Sequence, residues 1–460
     1  MIGPSSRKTK IIAGKNVFPL KILALPAMKR VLLITYYWPP SGGAGVQRVL
    51  KLVKYLRDFG WEPIVYTAQD AAYPIVDDTL LEDVPAEQKV WKGKIWEPYE
   101  VYKRFTGQGK KEKVYSGFMN EDDSLSFTQK LSIWIRGNFF IPDARRFWIR
   151  PATKDILSRL ASQKVDAIIS SGPPHTVHMI ARNVARKTGL PWVADFRDPW
   201  TNIDFYDQLM LSNWADRRHR RMEASVIREC TRLNTVTWTW QREFQEMGKS
   251  EVSVITNGFD HEDFPSEAPA PEPGFVFNYI GFLNDDRNNP LLWEAFGDLV
   301  RELPEMREVL TFRFVGKADH VVFRNLEEQG LLDLAERIDY VPHATALSFL
   351  TKARHLILLI NDVRNAMGHI PGKTYEYLGS RRPILCIGPP ESDAARVIRE
   401  CEAGEVCGFE DKEAMKDVIR SWYKAYLAGD EMRRTGDIER FTRRNATKQM
   451  ATLLDELVSE

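Results

Sequence analysis

Residues 31–45 read VLLITYYWPPSGGAG. Residues 31–35, VLLIT, are an unbroken apolar run ended by a turn, the pattern of a strand buried on both faces of a parallel sheet. From Val46 the apolar residues recur at helical spacing, through Val49, Leu50, Val53 and Leu56. Residues 63–67, PIVYT, supply a second buried strand. Strand, glycine loop, helix and strand in that order open a doubly wound α/β domain.

The same rhythm runs down the chain. Strands at 167–171, 192–196, 233–236 and 252–255, with a helix from about Thr176, complete a first series. Residues 262–275 are rich in Pro and acid without an apolar period and read as a linker. A second series follows. Its expected strands are 275–280, 311–315, 338–341, 355–360 and 384–387, and its expected helices lie near 290–303, 325–336 and 373–380. Residues 439–457 form a further amphipathic helix. The fold class is therefore α/β: two Rossmann-like doubly wound domains facing a central cleft. The boundaries expected are 1–28 (a disordered or spurious extension), 29–258, 259–435, and 436–460, a C-terminal helix packing back on the first domain.

The chain has 460 residues, with 64 Lys and Arg against 63 Asp and Glu. That length suits two domains, and the balance of charge gives no electrostatic case for nucleic acid as a partner. Cys230, Cys386, Cys401 and Cys407 form no CxxC pair or zinc pattern and read as reduced, buried thiols of a cytoplasmic protein. No apolar run approaches the roughly 18 residues needed to cross a bilayer. Residues 1–27 are basic with an apolar stretch interrupted by Lys21, and read as an artificially long start rather than a signal peptide. Residues 106–123 read as an exposed loop. Residues 125–150 mix Trp134, Phe139, Phe140, Phe147 and Trp148 with arginines. They read as a helix packed on the domain edge; the alternative is a surface for a lipid-linked acceptor or membrane headgroups.

Five motifs carry candidate chemistry. Gly42-Gly43-Ala44-Gly45 lets backbone approach a ligand, and the helix that follows presents free N–H groups. It lacks the Gly-Lys-Ser/Thr of a P-loop, and Arg48 stands where a dinucleotide fingerprint needs its third glycine. His175 follows a strand at the end where α/β sheets place ligands, with His178 one helical turn on; no third ligand supports a metal there. Asp195 and Asp198, at another strand end, either bind sugar hydroxyls or steady a loop by pairing with arginine. Gly281 to Arg287 follows the first strand of the second series, placing Arg287 to grip a phosphate. In Ile370-Pro371-Gly372-Lys373-Thr374-Tyr375-Glu376, Pro371 opens a helix whose first N–H groups, at Gly372, Lys373 and Thr374, can take a diphosphate. Lys373 adds a cation, and Glu376, one turn on, can accept both hydroxyls of a ribose.

The ordered set resembles glycosyltransferase family four over roughly residues 29–455. The likeness lies in PPSGGAG at 39–45, VITNGFD at 254–260, YVPHATALSFLTKARHLILL at 340–359 and KTYEYLGSRRPIL at 373–385. The resemblance implies the GT-B fold, with an acceptor-side first domain and a second domain that holds a nucleoside-diphosphate sugar. It implies a donor site of Gly281, Val341, Gly372, Lys373, Thr374 and Glu376. Arg287 and Lys373 would act on the diphosphate, the loop Gly42, Gly43, Ala44 and Gly45 would lie near phosphate or acceptor, and His175 would line the reaction centre. Asp198 is a sugar-binding candidate. Transfer with retention to a glycan or lipid-linked acceptor, no obligatory metal or other cofactor, and peripheral contact with the inner face of the membrane are expected.

Two positions depart from the family. Gly368 stands where a glutamate is common, eight residues before Glu376, and Phe282 stands where an arginine follows the glycine, with Lys373 or Lys317 as substitute cations. These departures leave a sugar-nucleotide epimerase or hydrolase on the same fold, or a non-catalytic nucleotide-sugar-binding homologue, as the alternatives.

Overall fold

The computed structural model describes residues 28–97, 127–267, 269–434 and 436–459. The loop expected at 106–123 and the extension 1–27 lie outside the described residues. Among those described, two all-parallel sheets form two lobes. The first holds β1 (Lys29–Ile34), β2 (Trp61–Gln69), β3 (Lys89–Lys94), β4 (Ala167–Gly172), β5 (Trp192–Phe196), β6 (Arg232–Thr235) and β7 (Val252–Val254), in the order β3-β2-β1-β4-β5-β6-β7. The second holds β8 (Phe275–Ile280), β9 (Leu310–Val315), β10 (Ala335–Ile338), β11 (His355–Leu359), β12 (Ile384–Ile387) and β13 (Gly404–Cys407), in the order β10-β9-β8-β11-β12-β13.

The continuous apolar strands are explained by two-sided burial. Val31 and Leu33 pack with Val46, Val49 and Val53 of the helix Ala44–Tyr55, while Leu32 and Ile34 face Ile156, Val177 and Ile180 on the other side. In the second lobe Phe275, Phe277 and Tyr279 meet Trp293 and Phe296, whereas Ile280, Leu356 and Leu358 meet Tyr377 and Leu378. The strand order reverses at β1/β4 and at β8/β11, which opens a crevice at each of those carboxyl ends. The four loops leaving these strands carry the glycine loop, His175, Arg287 and the approach to Gly372.

The last helix, Arg443–Ser459, crosses back and buries Met450 and Leu454 in the first lobe. Its return leg touches the outward one: the Phe259 N–H donates to the Phe441 carbonyl at 3.0 Å, and that of Arg443 to the Phe259 carbonyl at 2.7 Å. An ideal Cβ at Gly258 would lie 2.4 Å from the Phe441 oxygen, so only glycine fits this crossing. Lys51 and Lys54 pair with Asp260 at 2.7 and 3.3 Å, binding the hinge to the first lobe.

Several expectations shift. The helix expected near 325–336 is His320–Glu328, because Gly330 in the left-handed region (φ +69°) follows its end, and the strand expected at 338–341 runs Ala335–Ile338. Val341 consequently sits in the loop beyond the strand. The tail helix begins at Arg443, after a single 3₁₀ turn at Glu439–Phe441. The helix expected to pack on the domain edge, Phe127–Phe139, leaves Trp134 and Phe139 exposed, as is Phe147 beyond it, while Trp148 is buried. All four cysteines are free and buried. Among the described residues no helix is long and apolar enough to cross a membrane.

Candidate active site

The helix Gly372–Ser380 begins without a side-chain cap. Thr374 N–H bonds back to the Pro371 carbonyl at 3.0 Å, but the N–H groups of Gly372 and Lys373 meet no acceptor among the described residues. Gly372 is exposed, and a Cβ built there would have open space within 4 Å. The Thr374 hydroxyl is buried without a partner. An uncapped helix start with outward N–H groups carries partial positive charge and suits an anion.

Two cations stand beside it. The Lys373 ammonium donates to the Tyr279 hydroxyl at 2.7 Å and lies 3.9 Å from that ring's centre. The Tyr279 hydroxyl in turn donates to the Phe282 carbonyl at 3.0 Å, which also accepts from Arg287 Nη1 at 3.3 Å. Arg287 Nε is held by the Asn361 side chain. Gly281, at φ +101°, brings its backbone close to Lys373: an ideal Cβ would be 3.5 Å from Nζ. Neither cation forms an ion pair with an acid among the described residues. Burial, then the charge of Arg287, pushes the Lys373 pKa well below its usual value. Arg287 and the Lys373 amine thus stand together beside an open helix start, neither of them paired with an acid among the described residues. Lys317, 6.0 Å from the Phe282 ring, stands at its rim.

Glu376 lies one turn along and is engaged by His343, Nε2 to Oε1 at 3.1 Å, a contact that raises the His343 pKa. A ribose there would share or displace this imidazole. Val341 is half-buried two residues before His343.

In the first lobe the glycine loop is fastened from two sides. The Gly42 N–H donates to the Ile75 carbonyl at 2.9 Å, and a Cβ at Gly42 would strike Ile75 at 2.8 Å. Gly43 takes φ +86° and is exposed, Ala44 opens the helix, and the Gly45 carbonyl accepts from Arg197. Arg197 also binds the carbonyls of Gly172 and Pro173, so it joins both loops of the β1/β4 crevice. Asp195 is structural. It is fully buried and pairs with Arg48 at 2.9 and 3.0 Å, while Ser171 and Asn234 donate to it at 2.7 Å each. Arg48 also reaches the Ile255 and Thr256 carbonyls, both at 2.9 Å.

His175 stacks on Trp200, with centres 4.5 Å apart and planes 2° apart, and its Nδ1 is buried without a partner. Burial, then the neighbouring His178, holds its pKa well below the usual histidine range, so the ring is neutral. His178 is structural: its Nδ1 meets Ser170 Oγ at 2.8 Å, and its Nε2 faces Gly172. The start of the following helix is occupied by Asp143, which takes the Thr176 N–H at 2.8 Å.

Asp198 is half-buried and has no hydrogen-bond partner among the described residues; burial raises its pKa. Burial and the charge of Arg287 push the His369 pKa down to about 4, against the opposing charge of Asp204. The lobes also meet where the Thr239 N–H donates to Asp393 at 2.8 Å and Arg396 covers the Trp238 ring at 3.9 Å. Among the described residues no three His, Cys, Asp or Glu side chains converge as a metal site requires. Sequence reasoning missed Tyr279, Asn361, Asp204 and His369; only the position of His369, two residues before Pro371, hints at a role.

Residues 122–258 match the model of the glycosyl transferase 4-like domain, in agreement with the resemblance carried by the ordered motifs. No curated protein matches the sequence. The two-lobed GT-B fold is shared with solved structures. Sucrose-phosphate synthase from Thermosynechococcus elongatus superposes with a TM-score of 0.58 at 12% identity, over 94% of this chain and 99% of that one. HepE of Anabaena, solved in complex with UDP-glucose, gives 0.52 at 12% identity over 94% and 97%. The lipopolysaccharide outer core galactosyltransferase WaaB gives 0.55 at 12% identity over 93% and 99%.

Proposed function

We propose that the protein is a retaining glycosyltransferase that takes a sugar from a nucleoside diphosphate and passes it to a hydroxyl of a glycan or lipid-linked acceptor in the cytoplasm. The observation that carries the reading is the open start of the helix Gly372–Ser380 beside Arg287 and the Lys373 amine, neither of them paired with an acid among the described residues. The glycosyl transferase 4-like match in the first lobe favours transfer over epimerisation. The diphosphate lies on the Gly372 and Lys373 N–H groups, Glu376 takes the ribose hydroxyls, and the nucleoside runs toward Val341.

The reaction is a front-face displacement. The acceptor oxygen bonds to the anomeric carbon on the side from which the diphosphate leaves. The bond from that carbon to the phosphate oxygen breaks, and the departing oxygen takes the acceptor's proton. Arg287, Lys373 and the helix start stabilise the charge that grows on the leaving group, so no obligatory metal is needed. His175, neutral and stacked on Trp200, borders the acceptor with an unpaired ring nitrogen, and Asp198 offers a carboxylate to sugar hydroxyls.

The test is incubation with a panel of nucleotide sugars, with and without glycan acceptors, followed by product analysis. Acceptor-dependent release of nucleoside diphosphate with a new glycoside supports transfer. Conversion of the sugar without an acceptor would favour the epimerase or hydrolase. Binding without turnover across the panel would favour a non-catalytic homologue.

A further inference from the structure

The ring of His175 is oriented without a hydrogen bond on its inner nitrogen. Nδ1 is buried and has no partner among the described residues. A histidine that serves a site ordinarily has its second nitrogen tied to a carbonyl or carboxylate, which fixes the plane of the ring. Here a stack takes that place. The His175 ring lies on the Trp200 indole with centres 4.5 Å apart and planes 2° apart. Its other ring neighbours, His178 and Phe196, lie 5.8 Å away and are tilted by 32° and 33°.

The indole is itself fixed, from one face of the helix Asn213–Glu229. Trp200 Nε1 donates to His219 Nδ1 at 3.1 Å. An indole N–H only donates, so Nδ1 must accept and the imidazole carries its proton on Nε2. Burial lowers the His219 pKa, against the Gly137 backbone, Asp143 and Asp216, and so favours that neutral ring. One turn on, the Glu223 carboxylate accepts from the Trp200 and Thr201 N–H groups, both at 3.3 Å, and from the Thr201 hydroxyl at 2.6 Å. His219 therefore sets the indole, and Glu223 sets the main chain that carries it.

The main chain of His175 is clamped as well. Asp143 accepts from the Thr176 N–H at 2.8 Å and the Thr176 hydroxyl at 2.9 Å, which pins the helix Thr176–Thr188 where His175 enters it. Trp200, His219 and Glu223 are all buried. A core that had only to fill this space would use apolar side chains. Buried polar groups cost free energy unless they are paired, and what a paired network adds is one fixed arrangement.

We propose that Trp200 and His219 are positioning residues for His175: Trp200 sets the plane of its imidazole, and His219 sets the indole. That the ring so held lines the reaction centre rests on the transferase reading; the holding itself does not. Both residues act through His175, and a misplacement of about 1 Å at a reacting centre costs on the order of 100-fold in rate.

The experiment pairs kinetics with magnetic resonance of the His175 ring in the full chain, its signals identified by their loss in His175→Gln. Trp200→Phe keeps a ring to stack on and removes the N–H, and His219→Leu removes the acceptor. Each should lower kcat about tenfold with donor KM changed less than about twofold, and the double variant should be no slower than either. His219→Asn, whose amide oxygen can accept where Nδ1 does, should recover most of the rate. The indole's ring current shifts the His175 ring protons. Trp200→Leu should abolish that shift, His219→Leu should reduce it, and His219→Asn should restore it. Losses that add, a donor KM that rises as kcat falls, an Asn variant as slow as Leu, or His175 signals indifferent to His219 would each overturn the proposal. Thermal melts identify a variant that has unfolded, and the gentler changes, Trp200→Phe and His219→Asn, then carry the decision. If no sugar is transferred at all, the transferase reading fails on its own, while the ring signals still decide what holds His175.

Discussion

An ideal Cβ on Gly368 would lie 2.7 Å from Nε1 and 2.9 Å from Cδ1 of Trp240. Contacts that short do not occur, so residue 368 must be glycine while the lobes hold this arrangement. Trp240 is 3% exposed, and its indole N–H has no partner. The glycine found where a glutamate is common is therefore a contact surface between lobes, formed where the approach to the donor helix rests on the helix Trp238–Glu246.

Gly368→Glu should displace Trp240 or part the lobes. Overpacking of this kind destabilises by about 1–3 kcal/mol. Trp240→Ala in the same chain should recover much of that loss, giving a coupling that a double-mutant cycle of thermal melts measures. Additive effects would show that the two residues do not meet.

Lys373 should make diphosphate binding depend on pH. Burial and Arg287 favour its neutral amine, with a folded pKa far below the ordinary 10.5. Without ligand, the unfolded chain binds more protons between the two values, so stability rises with pH through that window. A bound diphosphate favours the ammonium and takes up a proton. Affinity should therefore strengthen as pH falls and level off below the folded pKa of Lys373. Calorimetric titrations in buffers of differing ionisation enthalpy should report the uptake, and Lys373→Met should abolish it. The same variant should lower turnover about 10²–10³-fold with little change in melting temperature.

Arg48 and Asp195 should behave in the opposite way. Arg48→Met leaves a fully buried carboxylate with only Ser171 and Asn234, and loss of one partner of a buried pair costs about 3–5 kcal/mol. Chemical denaturation should show that loss, and Asp195→Leu added to it should restore part. An unchanged midpoint in Arg48→Met would remove Asp195 from the structural role given to it.

The strands at 192–196, 275–280 and 384–387 were legible at their true bounds because two-sided burial writes a continuous apolar run. β3 was not: KVWKGK alternates lysine with buried residues at a sheet edge, and β13, GEVC, is short and half-exposed. The helix at 325–336 was misplaced because the stop at Gly330 lay inside a plausible apolar period. In the site, Gly372, Lys373 and Arg287 were readable as chain-local signals at a helix start and after a strand. Tyr279, His369 and Trp240 were not, because their partners are distant in sequence and no spacing rule connects them.

The most direct measurement is titration of the wild-type chain, Lys373→Met and Arg287→Ala with UDP, GDP, ADP and the matching monophosphates, followed by thermal shift and calorimetry. At least one diphosphate should bind the wild type and raise its melting temperature. Its monophosphate should bind more weakly, and both variants should lose most of the affinity while remaining folded. A wild type that binds none of the diphosphates, or one whose binding neither variant alters, would contradict the account.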